Sequence, residues 1–160
     1  HYFDAVVEQY LHGKTNSIDY RRARRSAHNA QTELSSMISS LSTEPEPDQT
    51  LIQHAFRYLV YSHSQLSYIS ALGSHREQVQ DQQVLELLQW CQSALDDVLI
   101  QQKPLNPEKI QQKLFEIQTL STEEMRSNHL QLVLKQISLL LETLAELIQL
   151  RTQLIQAEIK

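Results

Sequence analysis

Apolar residues recur at intervals of three and four positions through several long stretches of the chain. Such spacing places side chains on one face of an α-helix. The clearest series consists of Tyr20, Ala23, Ala27, Ala30, Leu34, Met37 and Leu41. The 160 residues include only two glycines and four prolines, so few turns are encoded and the helices must be long. No strand-like alternation is present, and the pattern predicts an all-α fold.

Six helices follow from this periodicity and from the residues that interrupt it. Gly13 and Gly73 are predicted to end the first and third helices, because glycine is common just past a helix C-terminus. Short breaks favour antiparallel neighbours, so we expect an antiparallel up-and-down bundle of five to six helices with a long C-terminal helix. The predicted helices are Tyr2–His12, Ile18–Ser42, Thr50–Leu72, His75–Gln102, Pro107–Leu120, and Thr122 to the end.

Polar residues that cap helix N-termini support these boundaries. Asn106 followed by Pro107 is a strong start signal for the fifth helix. The second helix is predicted to be capped by Asn16 or Ser17 and the third by Asp48 or Thr50, because such side chains accept hydrogen bonds from free backbone N–H groups. The segments Ser74–Glu77 and Ser121–Glu124 match the capping-box pattern and predict the starts of the fourth and sixth helices.

The last helix is apolar over much of its circumference. Leu130, Leu134, Ile137, Leu141 and Leu144 form its main stripe, and further leucines widen it. A stripe of this width is typical of a central helix in a bundle or of a face that binds another chain. A homo-oligomer is therefore one of the partners that the sequence predicts.

Length and charge limit the other classes of protein. We expect residues 1–160 to form a single soluble helical domain, since a chain of this length can bury a sizeable core. The net charge of −5 argues against nucleic acid as a partner. The longest apolar run, between Ile137 and Leu150, is interrupted by Glu142 and Glu146, whereas a membrane span needs about 20 apolar residues. A first residue of His1 rather than Met suggests a piece of a longer protein.

Residue patterns typical of catalysis are missing from the sequence. It contains no Glu-x-x-His or His-x-x-x-His pattern for a metal and no glycine-rich loop for a phosphate. Cys91, the single cysteine, falls in a leucine series and is interpreted as a buried small hydrophobic residue rather than a nucleophile. We therefore predict a protein that is not an enzyme and that uses no cofactor or metal.

A cluster of cations opens the second helix. Arg21, Arg22, Arg24 and Arg25 lie in its first two turns, where the helix dipole disfavours positive charge, and His28 and Asn29 follow. The arginines could be solvated or paired internally with acids such as Asp96, Asp97, Glu142 and Glu146. They could instead bind an anionic lipid surface or, least favoured, nucleic acid.

The third helix carries a stripe of tyrosine and histidine residues. This stripe is interpreted as a polar-rimmed core, with a ligand pocket as the alternative. The candidate binding residues are Arg21, Arg22, Arg24, Arg25, His28, Asn29, Tyr61 and His63.

Several segments of the first half resemble the C-terminal region of the YccS/YhfK family. They are YRRARRSAHNA at residues 20–30, FRYLVYSH at 56–63, LSYISALG at 66–73 and HRE at 75–77. Members of this family are bacterial inner-membrane proteins of the fusaric-acid-resistance-like group. The resemblance implies a cytoplasmic domain that follows the last transmembrane helix and has its own transmembrane region as a partner. Relatives are described as efflux transporters or stress-linked membrane proteins, and no catalytic residue can be carried over.

Two functional hypotheses follow. The first is a cytoplasmic accessory domain of an inner-membrane efflux transporter, acting in assembly, gating or effector sensing. The alternative is a non-enzymatic helical adaptor that docks an acidic protein or an anionic lipid surface through the arginine-rich helix.

Overall fold

The structure is a computed structural model that describes residues 1–13, 17–46, 48–75, 77–122 and 127–158. These ranges contain six α-helices and no strand, which confirms the all-α prediction. A π-helical segment, Asp96–Ile100, directly continues α4. No helix in the described ranges is long and apolar enough to cross a membrane. The helices are α1 Tyr2–His12, α2 Ile18–Leu41, α3 Gln49–Ser74, α4 Gln82–Leu95, α5 Pro107–Ser121 and α6 Asn128–Glu158.

Three predicted N-caps are confirmed. The side chain of Ser17 accepts hydrogen bonds from the first turn of α2. Oδ1 of Asp48 accepts from the N–H groups of Thr50 and Leu51, at 2.8 and 3.1 Å. Oδ1 of Asn106 accepts from the N–H of Glu108 at 2.9 Å. Each cap satisfies backbone donors that the helix itself leaves free.

The long helices α3 and α6 run in opposite directions, as expected for an up-and-down bundle. Gln65 of α3 bonds to Leu140 of α6, whereas His75, at the end of α3, lies beside His129, at the start of α6. The two helices are therefore antiparallel along their length. Helix α2 packs on α3 and α1, and α1 also contacts α3 and α4.

Helix α6 is the central element of the bundle. It packs against α3, α4 and α5, and its wide apolar stripe lies inside the protein. Leu134, Ile137, Leu141 and Leu144 are fully buried. Of the two interpretations of this stripe, the structure supports the central helix of a bundle.

The predicted boundary between the third and fourth helices is wrong. Helix α3 continues through Gly73 to Ser74, and α4 begins at Gln82 rather than at His75. The segment between them is pinned to α1, because the N–H of Val79 donates to the carbonyl of Tyr10 at 3.2 Å. The Val79 side chain is buried in the core. The carbonyl of Tyr10, which the end of α1 leaves without a partner, thus accepts a hydrogen bond from Val79. This bond holds the segment between α3 and α4 in a non-helical conformation.

Two further boundaries differ from the prediction. The fourth helix becomes π-helical at Asp96, and Gln102 after it has a positive φ of 55°. The last helix does not begin at Thr122, because α5 extends to Ser121 and α6 starts at Asn128. The predicted capping box at Ser121–Glu124 lies partly outside the described residues.

The residues of the apolar series of α2 do not all remain on its buried face. Tyr20 is buried, and Ala23 and Ala27 pack against the core. Farther along, Met37 is 68% exposed and its neighbour Ile38 is 4% exposed. A strict seven-residue series rotates by about 20° per heptad around a straight helix, so the buried face passes from one residue to the next.

Candidate functional site

The four arginines of α2 form one exposed surface, which we call the arginine face (Arg21, Arg22, Arg24 and Arg25). All four side chains are exposed. Arg21 and Arg25 lie on the side of α2 opposite Ala23 and Ala27, the residues that pack against the core. Arg24 lies nearer to α1, where its charge acts on the hydroxyl of Tyr2. Within the described residues, no carboxylate lies within ion-pairing distance of any of them. Among the described residues the arginine face is therefore a positive surface without an acidic partner, on a chain whose net charge is negative.

The acids proposed as internal partners for the arginine face are engaged elsewhere. Asp97 forms an ion pair with Lys103 at 2.9 Å. Asp96 accepts a hydrogen bond from Gln101 at 2.6 Å. Glu142 and Glu146 accept hydrogen bonds from the hydroxyls of Ser138 and Tyr61, both at 3.0 Å. Internal pairing of the arginines is thus not observed.

The remaining predicted site residues divide among three places. Asn29 is exposed on α2 beside the arginine face. His28 and His63 both line an open groove between α2 and α3, together with serine and threonine side chains. Tyr61 instead points to α6, where its hydroxyl bonds to Glu146. The structure therefore does not bring the eight candidate residues into one site.

A cavity that the sequence did not predict lies between the helices on the other side of α2. Its volume is about 310 Å³, which is within the range of small-molecule sites. Helices α1 to α4 and the π-helical segment surround it, and Leu147 of α6 also lines it. Its apolar lining includes Phe3, Ala27, Ala30, Leu34, Leu66, Ile69, Leu95 and Leu147.

One wall of the cavity carries a buried amide with an unsatisfied oxygen. Gln65 is only 6% exposed. Its Nε2 donates to the carbonyl of Leu140 at 2.9 Å and to the hydroxyl of Thr143 at 2.8 Å. Its Oε1 is buried without a hydrogen-bond partner. A buried acceptor left unpaired costs about 1–3 kcal/mol, and among the described residues no donor offsets this cost at Gln65.

Two carboxylates lie at the cavity. Oδ1 of Asp4 accepts a hydrogen bond from Nε2 of Gln92 at 2.8 Å, and its Oδ2 lies 3.0 Å from the N-terminal ammonium of His1. Burial alone would raise the pKa of the Asp4 carboxyl, but these two interactions outweigh burial and lower it. Asp96, one helical turn after Gln92, lines the same cavity.

The π-helical segment forms one lip of the cavity. Leu99 and Ile100 line it and are 44% and 59% exposed. Arg151 of α6 supports this segment: its Nη1 donates to the carbonyl of Val98 and its Nη2 to Oε1 of Gln102, both at 3.2 Å. π-Helical turns inside α-helices are frequent at functional sites, and this one presents two apolar side chains at the opening.

No local sequence signal could have identified this cavity. Its carboxylates come from α1 and the π-helical segment, and its unsatisfied amide comes from α3. Each of these residues alone is an ordinary polar residue on a helix. The described residues contain no group of three or more His, Cys, Asp or Glu side chains that could hold a metal ion.

Comparison with known proteins gives one relative that covers almost the whole chain. The chain is 39% identical over 157 residues, 97% of its length, to the inner membrane protein YccS of Escherichia coli, of which it spans 22%. It is also 37% identical over 78 residues, 49% of its length, to an uncharacterized protein of Haemophilus influenzae, of which it spans 11%. No family model and no solved structure matches the chain.

Proposed function

Because the chain belongs to the family of the inner membrane protein YccS, we propose that it forms a cytoplasmic accessory domain that docks on the anionic surface of the inner membrane. The relationship covers 97% of the chain and supports association with a membrane. The chain spans about a fifth of its relative's length, and the remainder would hold the transmembrane region. Efflux, as in transporters of the fusaric-acid-resistance-like group, would be the task of that region.

The observation that carries this proposal is the arginine face. Four exposed arginines that find no acidic partner in the described part of the chain are unfavourable in the isolated domain, since they repel one another and oppose the helix dipole. An anionic leaflet would remove both penalties, and each Lys or Arg near such a surface contributes about 1 kcal/mol. The rest of the chain is acidic and would be repelled, so the attraction orients the domain with α2 towards the membrane.

Accessory roles in assembly, gating and effector sensing all require a domain held in a fixed orientation beside the transmembrane helices. Docking by the arginine face supplies that orientation directly. The alternative partner, an acidic protein, would use the same charges, but it would require a site that excludes lipid. The experiment below distinguishes the two partners.

Co-sedimentation with lipid vesicles tests the proposal. The chain is mixed with vesicles of phosphatidylcholine alone or with 30% phosphatidylglycerol, at low and at high salt. We expect binding only to the anionic vesicles and release at high salt, where screening shortens the range of the attraction. A triple variant, Arg21→Gln, Arg22→Gln and Arg25→Gln, should weaken binding on the order of 100-fold, from about 1 kcal/mol per charge.

A matched triple variant provides the control. Arg57→Gln, Lys109→Gln and Lys135→Gln remove the same number of positive charges from exposed positions outside the arginine face. This variant should bind anionic vesicles as the parent chain does. Equal losses in the two triple variants, or equal binding to neutral and anionic vesicles, would contradict membrane docking. Absence of vesicle binding together with a functional defect of the first variant would favour an acidic protein.

A further inference from the structure

The cavity between α1, α2, α3 and the π-helical segment has the composition of a small-molecule site. Its walls are largely apolar, and Leu99, Ile100 and Tyr58 at its margin expose between 38% and 59% of their surface. Apolar side chains at the mouth of a concave site are left in water when the site is empty. A bound hydrocarbon or aromatic group would cover them, with a gain of about 25 cal/mol per Å² of apolar surface.

The polar groups of the cavity favour a ligand that donates hydrogen bonds. The Nε2 donors of Gln65 and Gln92 are both used within the protein, by α6 and by Asp4. Their oxygens are acceptors, but Oε1 of Gln65 has almost no accessible surface, so a ligand would reach it only if the side chain moved. The carboxylates of Asp4 and Asp96 add acceptors, whereas none of the described residues that line the cavity is Lys or Arg. An anionic ligand would therefore be repelled by two carboxylates.

We propose that this cavity binds an apolar amine, with its hydrocarbon or aromatic part against the walls and its ammonium group beside Asp4 and Asp96. Asp4 and Asp96 are the two carboxylates among the described residues that line the cavity. The π-helical segment carries both Asp96 and the two apolar residues of the lip. The π-helical segment would therefore contact both the ammonium group and the apolar part of the bound amine.

Three indole compounds of nearly equal size test this assignment: tryptamine, tryptophol and indole-3-propionate. They present an ammonium, a hydroxyl and a carboxylate beside the same aromatic ring. Binding is measured by calorimetry at neutral pH without vesicles, so the result does not depend on membrane docking. We expect tryptamine to bind about fivefold or more tightly than tryptophol, from roughly 1 kcal/mol for a partly exposed ion pair, and the carboxylate to bind most weakly.

Neighbouring acids provide matched control variants. Asp96→Asn should remove most of the preference for tryptamine over tryptophol, whereas Asp97→Asn should not, since Asp97 pairs with Lys103 and does not line the cavity. Asp4→Asn should likewise lower the preference, and Glu8→Gln, on the exposed side of the same helix, should leave it unchanged. These isosteric changes preserve folding, which circular dichroism verifies.

A steric variant tests the location. Ala27→Phe enlarges a half-buried side chain that lines the cavity and should abolish binding of all three indoles, whereas Ser26→Phe, at an exposed position on the same helix, should not. The proposal is overturned by tighter binding of the carboxylate than of the amine, by no binding of tryptamine, or by equal effects of Asp96→Asn and Asp97→Asn.

Discussion

The hydroxyl oxygen of Tyr20 occupies the space into which a side chain at Gly73 would extend. It lies 3.4 Å from the carbonyl oxygen of Gly73, to which it donates a hydrogen bond. A Cβ atom built on Gly73 would lie 2.5 Å from this hydroxyl oxygen and 3.2 Å from that of Tyr2. Glycine is therefore needed here for close approach between α3 and the tyrosines of α1 and α2, and not to end a helix.

Gly73→Ala is accordingly expected to destabilise the protein, although alanine is the better helix former. Overpacking of this kind costs about 1–3 kcal/mol. Removal of the obstructing hydroxyl by Tyr20→Phe should reduce the loss, so the two substitutions should be non-additive in a double-mutant cycle measured by urea unfolding. A stabilising effect of Gly73→Ala, or strict additivity with Tyr20→Phe, would contradict the close approach.

Tyr10 holds the end of α3 in a similar way. Its hydroxyl donates to the carbonyls of Leu72 and His75, at 2.8 and 3.3 Å, and its ring is fully buried. Tyr10→Phe leaves these carbonyls of the helix end with one partner fewer. We expect a loss of about 1–2 kcal/mol in unfolding free energy. Tyr58→Phe, on an exposed ring at the cavity margin, serves as the control and should change stability by less than about 0.5 kcal/mol.

The helices themselves were predictable because their signals are local. Ser17, Asp48 and Asn106 cap the helices whose starts they predict, and each acts on backbone groups two or three residues away. The role of Gly73 was not predictable, because glycine ends many helices and its reason here is a tyrosine 53 residues away in the chain. The extended segment around Val79 likewise depends on a distant partner, the carbonyl of Tyr10.

The two candidate sites also differ in whether residues close in sequence or distant residues form them. The arginine face was visible in the sequence because consecutive residues on one helix form it. The cavity was not visible, because Asp4, Gln65 and Asp96 are brought together only by the packing of separate helices. The π-helical turn also has no sequence signature in Asp96–Ile100 that distinguishes it from the α-helix that precedes it.

The buried hydroxyl of Tyr2 and the buried thiol of Cys91 predict how the free energy of unfolding changes at alkaline pH. Burial, together with the hydrogen bond to Tyr20, raises the pKa of Tyr2 to about 12. Burial also raises the pKa of the Cys91 thiol to about 12. In the unfolded chain these groups ionise near pH 10 and pH 8.5. Between those values and pH 12 the folded state retains more protons, so the free energy of unfolding falls as the pH rises.

Each group should lower the free energy of unfolding by about 1.4 kcal/mol per pH unit. This slope applies in the pH range where the group is ionised in the unfolded chain but protonated in the folded protein. Urea unfolding at pH 8, 9.5 and 11 measures it. Tyr2→Phe and Cys91→Ala should each flatten the decline. The same burial predicts that Cys91 reacts with a thiol reagent only when the protein unfolds. Rapid labelling of the native chain, or a decline that neither variant changes, would refute this account.

Arg151 is predicted to maintain the π-helical lip of the cavity. The N–H of Lys103 donates to the carbonyl of Asp97, and the carbonyl of Val98 instead accepts from the guanidinium of Arg151. Arg151→Gln removes this donor together with the contact to Gln102. We expect a loss of about 1 kcal/mol, which lowers the melting temperature by about 2–4 °C in a domain of this size. Amide hydrogen exchange should accelerate in residues 96–103 and remain unchanged in the core of α6, because the effect is local.

Lys135→Gln, an exposed substitution on the same helix, is the matched control. Unchanged exchange in residues 96–103 after Arg151→Gln would mean that the π-helical turn is stable without the guanidinium, and that α4 alone determines the shape of the lip.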